Sequence, residues 1–310
     1  MITLQQLEYI VAIDTYRHYV TASEKCFVTQ PTLSMQIKKL EDNLGVIIFD
    51  RSKQPIIPTE IGKKIIAQAR ITLSESKKIV EIIDVFEQKV SGELTIGIIP
   101  SLAPYLLPLF ISDFTSSYPD MKIKIIELLS EGIIEKLEKD LIDVGILVTP
   151  LHENGILEKP IFYEKMVLYI NKKHALAKTK KLNTADIATP DLWLLSNGHC
   201  FRNQVVNLCS FQVTEDLPFE YDSGSIETLK KIVDKDGGFT LIPELAIDDC
   251  PHKNSMINTF TDAKPIREVS LVYSRTVVKK RIIDLLGDSI KKAVPQEMLN
   301  PNRGEIIEWR

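Results

Sequence analysis

Apolar positions in the first sixty residues recur at helical spacing. Leu4, Leu7, Ile10, Val11 and Ile13 share one face behind Thr3, and Gln6 stands three residues after that threonine, a capping box that opens a first helix. Thr21-Ala-Ser-Glu24 repeats the signature and predicts a short second helix with Ala22 and Cys26 inward. A third begins where Thr29 can cap and Pro31 fits the first turn; Leu33, Ile37, Leu40 and Leu44 form its buried stripe, and Gly45 ends it. Gln30, Thr32, Ser34, Gln36 and Lys38 are left outside, a hydrogen-bonding and basic set that suits a major groove and would equally serve as a solvated face. Three helices joined by short turns predict a helix-turn-helix. Val46-Ile-Ile-Phe49 and Pro55-Ile-Ile-Pro58 then flank Arg51 and Lys53, which predicts a β-hairpin wing with its basic turn against phosphate or in a minor groove.

From Thr59 the period returns to helical and runs without proline, and after Gly62 without glycine, to Val90. Ile65, Ala69, Leu73, Ile79, Ile83 and Phe86 make one apolar seam on this linker, which predicts a dimerising helix and a homodimer suited to two-fold DNA half-sites. Past a hinge at Ser91-Gly92 the pattern changes to buried strands at 94–99, 122–126 and 142–148, separated by helices near 105–116 and 131–140. A second series follows at 166–170, 192–195 and 238–243, and the chain returns to the first half with 269–273 and a helix over 279–293. The fold class expected is α/β: a winged helix-turn-helix over 1–58, a linker helix over 59–90, and a two-lobed regulatory domain over 91–310 with a ligand cleft between the lobes. The pattern leaves residues 295–310 unplaced.

Composition changes this picture little. The chain has 310 residues, 44% hydrophobic and 26% charged, and a formal charge of −4. Residues 1–90 contain 12 Lys or Arg against 11 Asp or Glu, a balance of +1, so −5 falls on the remainder and charge alone marks no DNA binder. The beginning of the chain has no export pattern and no stretch is long and apolar enough to span a bilayer, so a cytoplasmic protein without membrane contact is expected. Four scattered cysteines, Cys26, Cys200, Cys209 and Cys250, give neither a disulfide framework nor a zinc spacing, and no metal or cofactor is expected.

Cys200 is the residue with candidate chemistry. It lies between His199 and Arg202 after Asn197-Gly198, a pair suited to starting a helix, and a helix N-terminus with cationic neighbours favours a thiolate, so its pKa is expected to fall. Cys209 follows nine positions later. If the run between is helical, a rise of ~1.5 Å per residue puts the two Cα atoms roughly 13 Å apart, whereas a disulfide needs less than about 7 Å. The pair can bond only if the segment unwinds. The plainer reading is that both are core residues, as buried cysteines usually are, and composition does not choose between them. Cys26 reads as core and Cys250 as a loop thiol; His18, His152 and His174 have no partners at metal spacing and read as capping or solvated.

The stretch from Ala22 to Gly45, with Phe49-Asp-Arg51 and Pro58-Thr-Glu-Ile-Gly62, closely resembles the winged helix-turn-helix of LysR-type transcriptional regulators. The resemblance implies that Thr29, Gln30, Pro31, Thr32, Ser34, Lys38, Arg51 and Lys53 occupy positions used at double-stranded promoter DNA. It also implies a periplasmic-binding-protein-like regulatory domain, a homodimer or dimer of dimers, and RNA polymerase as partner. Gly198-His-Cys-Phe-Arg-Asn-Gln204 with Cys209, together with Ile98-Ile-Pro-Ser101 through Pro108, resembles the OxyR branch, the hydrogen-peroxide-responsive regulators. By that resemblance Cys200 reacts with peroxide, Cys209 resolves the product into a reversible disulfide, His199 and Arg202 polarise the site, and the hydroxyls of Ser101 and Ser130 hold peroxide. Ser101 replaces the usual threonine, and Asn203 a common aspartate. A regulator of the same family that binds a small metabolite between its lobes would need no reactive thiol. A thiol peroxidase would need the Pro-x-x-x-Thr-x-x-Cys site that is absent, and an exported solute-binding protein would not carry ninety residues of DNA-binding and dimerising sequence, so no enzyme is expected.

Overall fold

The computed structural model describes residues 1–86, 90–209, 224–247 and 254–310. Cys250 and the side chains of Ile83 and Phe86 in the linker seam lie outside them. Spatial proximity divides the chain into two compact units, 1–89 with 276–279 and 90–275 with 280–310.

The first unit begins with α1 (Leu4–Tyr16), whose Thr3–Gln6 capping box forms as expected. The second box does not. α2 (Tyr19–Lys25) starts two residues before Thr21, and the ring of His18 accepts from the Thr21 amide instead. α3 (Gln30–Leu44) is capped by Thr29, carries Pro31 in its first turn and stops at Gly45, where φ is +67°. Its stripe Leu33, Ile37 and Leu40 packs with Tyr9, Ile10, Ile13, Ala22, Ile48 and Phe49 into one core. β1 (Phe49–Asp50) and β2 (Ile57–Pro58) pair antiparallel as the wing. α4 (Glu60–Phe86) follows, started by Thr59, whose hydroxyl accepts from the Gly62 amide. Ile66 and Ala69 of α4 are buried in the head core, and Arg70 reaches Asp14 and Thr15 on α1. Further along α4, Ile79 and Ile82 are about two-thirds exposed, at 64% and 68%.

The second unit is a mixed α/β domain. β3 (Gly92–Ile98), α5 (Ala103–Ser117), β4 (Met121–Glu127), α6 (Ser130–Glu138) and β5 (Val144–Thr149) alternate, and β3 pairs in parallel with both β4 and β5. β6 (Ile156–Asn171) is one long strand where the sequence pattern showed only its second half. α7 (Cys200–Cys209), α8 (Ile226–Asp236), β7 (Phe239–Pro243), β8 (Ser255–Asn258), β9 (Pro265–Ser274), α9 (Lys280–Ala293) and β10 (Glu305–Ile306) complete the domain. The strand order is β4-β3-β5-β9-β6-β7, with β8 on β6 and β10 on β9. β9 is the return strand, antiparallel to both β5 and β6, so both halves share one curled sheet. Leu192–Leu195 is not a strand. Leu192 makes a single bridge to Phe239, and the segment is otherwise extended loop. The previously unplaced residues 295–310 form two 3-10 turns and β10, and Trp309 is buried.

Candidate redox site and DNA-facing head

Cys200 is the first residue of α7, after a turn at Asn197-Gly198 in which Gly198 adopts φ +90°. His199, not Asn197, directly precedes the helix, and its ring is held so close to Gly224 that a Cβ there would fall 2.4 Å from the ring. Phe201, Val205 and Cys209 are the inward face of α7 and pack with Leu195, Leu229, Phe239 and Leu241. The Cys209 thiol donates to the Val205 carbonyl at 3.0 Å, one turn back along the helix. Neither cysteine is in a disulfide, and the two stand at opposite ends of a ten-residue helix.

Sequence position does not show what surrounds Cys200. Arg267 on β9 is fully buried and spans the site. One guanidinium nitrogen donates to the Ser101 hydroxyl at 2.9 Å, another to the Ser101 carbonyl at 3.1 Å, and Nε to Glu164 Oε1 at 2.7 Å. The same guanidinium lies 5.1 Å from the centroid of the Phe201 ring. Glu164 on β6, also fully buried, takes a further hydrogen bond from the Leu245 amide through its second oxygen. A buried charge this deep requires a partner, and the two provide for each other. Ser130, the first residue of α6, faces the Cys200 sulfur closely enough to favour a thiolate, while its buried hydroxyl makes no regular hydrogen bond of its own.

The thiol pKa runs opposite to expectation. Burial raises it, and this outweighs Ser130, the Arg267 charge and the amides of Phe201 and Cys200, all of which favour the thiolate. The expected lowering rested on cationic neighbours in sequence, but Arg202 donates to the Leu195 carbonyl at 2.9 Å and braces the loop entering α7. Arg267 supplies the charge instead. It is 67 residues from Cys200 in the chain (267 minus 200), which is why no local motif shows it. The sequence-predicted group is therefore partly assembled: Ser101, Ser130 and Cys200 meet around Arg267, His199 adjoins Gly224, and Arg202 holds the loop.

In the head, Thr29, Gln30, Pro31, Lys38, Arg51 and Lys53 are exposed, and Thr32 and Ser34 half-buried. The hydroxyls of Thr29 and Thr32 are 2.8 Å apart at the start of α3. Arg51 is tied at 2.7 Å to Glu41, whose other oxygen takes the amides of Ile48 at 2.8 Å and Phe49 at 3.3 Å. Glu41, buried on the third helix, thus fixes the wing to it; the sequence gives no cue for this role. Phe27, in the turn before α3, holds φ +55° with its side chain almost fully exposed. Cys26 is half-buried and burial raises its thiol. His18 caps α2, and His174 caps a 3-10 turn and lies 3.2 Å from Asp191. Among the described residues no cluster of His, Cys, Asp and Glu could hold a metal ion, and no helix is long and apolar enough to cross a membrane.

A winged helix-turn-helix continuing into a long helix, followed by this α/β domain, defines a LysR-type transcriptional regulator, and the chain belongs to that family. The family described as bacterial regulatory helix-turn-helix protein, lysR family, matches residues 4–63, and the LysR substrate binding domain matches 87–294. The hydrogen peroxide-inducible genes activator of Haemophilus influenzae is 34% identical over 271 residues, covering 87% of this chain and 90% of that one. The DNA-binding transcriptional dual regulator OxyR of Escherichia coli K12 is 34% identical, covering 87% and 88%. A full-length OxyR variant from Pseudomonas aeruginosa superposes with a TM-score of 0.78 at 31% identity, covering 95% of this chain and 99% of that one. An OxyR mutant from Corynebacterium glutamicum, solved with hydrogen peroxide bound, gives 0.62 at 29% identity, covering 96% and 94%. Within the LysR family the chain is OxyR-like, similar to the proteins named hydrogen peroxide-inducible genes activators.

Proposed function

We propose that this protein senses hydrogen peroxide through a reversible Cys200–Cys209 disulfide and, as a cytoplasmic homo-oligomer, controls oxidative-stress genes at promoter DNA. The observation that carries the reading is the buried convergence on one sulfur of a helix N-terminus, the Arg267 charge and the Ser130 hydroxyl, which has no regular partner of its own. Such a hydroxyl can bind a peroxide oxygen, and the Ser101 hydroxyl accepts from the same Arg267 guanidinium that favours the Cys200 thiolate. Burial keeps the resting sulfur protonated, and the surrounding donors hold the thiolate once the proton leaves.

Chemistry then runs in two balanced steps. The Cys200 thiolate attacks one peroxide oxygen; the O–O bond breaks, sulfur gains the hydroxyl as sulfenic acid, and hydroxide leaves to become water with the thiol's proton. The Cys209 thiolate next attacks that sulfur, forming the S–S bond and releasing the hydroxyl, which leaves as a second water with the Cys209 proton. Ten helical residues hold the thiols too far apart for the second step, so α7 must unwind, and that refolding is the signal. Thr29, Gln30, Pro31, Thr32, Ser34 and Lys38 contact the major groove, and Arg51 and Lys53 the backbone. Ile79 and Ile82, exposed on α4, support a homodimer along that helix. A dimer of dimers and recruitment of RNA polymerase are carried over from the family likeness as part of this reading.

The test is trapping. In Cys209→Ser, peroxide should leave a sulfenic acid on Cys200 that dimedone labels, while the unaltered protein escapes labelling by closing the disulfide. Labelling equal to that of Cys26, or promoter induction that survives Cys200→Ser, would return the thiols to the core and make the regulator one that responds to a metabolite.

A further inference from the structure

We propose that residues 305–310 form a strap latched by α7 and let go when α7 unwinds, so that the state of the Cys200 helix is relayed to the face built by β5 and α6. The strap starts as β10, parallel to β9 with Glu305 opposite Pro265 and Ile306 opposite Ile266, and the Ile307 amide donates to the Ile266 carbonyl at 3.0 Å. It then crosses α7. Gln204 Nε2 donates to the Ile307 carbonyl at 2.5 Å and Asn207 Nδ2 to the Glu308 carbonyl at 2.9 Å. Gln204 and Asn207 are three residues apart, so only a helical α7 puts both amides on the side facing the strap.

Beyond α7 the strap is anchored elsewhere. The Trp309 indole is buried and donates to the Val148 carbonyl on β5 at 3.2 Å. Arg310 donates to the Leu151 carbonyl and to Glu153 at 2.6 Å each, and to Glu131 at 2.9 Å, with its guanidinium 4.8 Å from the Trp309 ring centroid. Glu131 is the neighbour of Ser130, which faces Cys200. One short segment is therefore bonded to the middle of α7 and to the elements on the far side of the thiol. These bonds connect two sites through a two-state element, and such coupling is reciprocal: α7 holds the strap, and the strap holds α7 helical.

The trigger rests on the sensing reading above; the coupling does not. Hydrogen exchange on the full-length reduced protein separates them. Arg310→Ala removes three anchoring bonds without opening the core, and Asn207→Ala removes a latch bond from an exposed position. Each should raise amide exchange about tenfold or more in both 305–310 and 200–209. Faster exchange in the strap of Arg310→Ala with α7 unchanged would overturn the proposal. In a second arm, Trp193→Phe leaves Trp309 as the single tryptophan. Peroxide should then expose Trp309 to acrylamide quenching severalfold, and not in the same chain with Cys200→Ser. A disulfide that forms while Trp309 stays shielded overturns the strap and spares the sensor; coupled exchange in the reduced protein without any disulfide sustains the strap and sinks the sensor.

Discussion

The charge beside Cys200 comes from Arg267 on β9, whose counter-ion is the equally buried Glu164 on β6. His199, Cys200 and Arg202 announce themselves by adjacency, but adjacency misassigned the cation, because Arg202 turns back to the Leu195 carbonyl and the charge arrives from β9. Glu164, its counter-ion, is 103 residues from Arg267 and stands before the strand that the pattern shows at 166–170, so nothing local marks it. Removing the guanidinium in Arg267→Ala leaves that carboxylate buried and unpaired, which costs about 3–5 kcal/mol and should show as a lowered melting temperature. Arg267→Lys keeps a charge and loses the fork between Ser101 and Glu164, so the oxidation of Cys200 should slow roughly tenfold in stopped-flow, about 1.4 kcal/mol of barrier.

The thiol also predicts a pH dependence. Its folded pKa is raised, chiefly by burial, so the folded state grips the proton more tightly than the unfolded chain. That contribution to stability is fully present below the ordinary thiol pKa and is lost as pH rises through and above it. The thiolate is the nucleophile, so the rate of Cys200 oxidation should climb with pH through the ordinary thiol range without levelling near neutrality. Stopped-flow rates at a series of pH values check this, and a rate already flat at neutral pH would show a preformed thiolate.

At the scale of elements, periodicity and caps located the head well and the regulatory domain less so. α1 and α3 followed from Thr3, Thr29 and Gly45 because the signals that start and stop a helix are local. α2 did not, since two capping residues compete and the His18 ring starts the helix ahead of Thr21. Leu192–Leu195 has the composition of a strand but only one bridge, and β10 is two residues long, below what any pattern detects. The wing was visible in its prolines and basic turn, whereas its attachment through Glu41 was not. Glu41→Ala would orphan the buried amides of Ile48 and Phe49 and free Arg51. A loss of about 2–3 kcal/mol in head stability is expected, measurable by thermal unfolding, with weaker DNA binding.

For the whole molecule, the net charge of −4 concealed a DNA-binding head, because the 12 basic residues of 1–90 are nearly balanced there by 11 acidic ones. On the proposed reading, Lys38→Ala and Lys53→Ala should each reduce the slope of log affinity against log salt by about one, measured by fluorescence anisotropy on promoter DNA. A slope unchanged in both would move the DNA face elsewhere. The two-lobed plan and the return of β9 to the first half followed from the order of strands, while the redox site assembles from β6, β9, α6, α7 and the turn between β3 and α5, and exists only once they pack. The most direct measurement is non-reducing peptide mapping by mass spectrometry of the reduced full-length protein after stoichiometric hydrogen peroxide. A Cys200–Cys209 disulfide that forms quickly, and is absent from Cys200→Ser, is the expected result; Cys200 remaining a thiol, or oxidising no faster than Cys26, would contradict it.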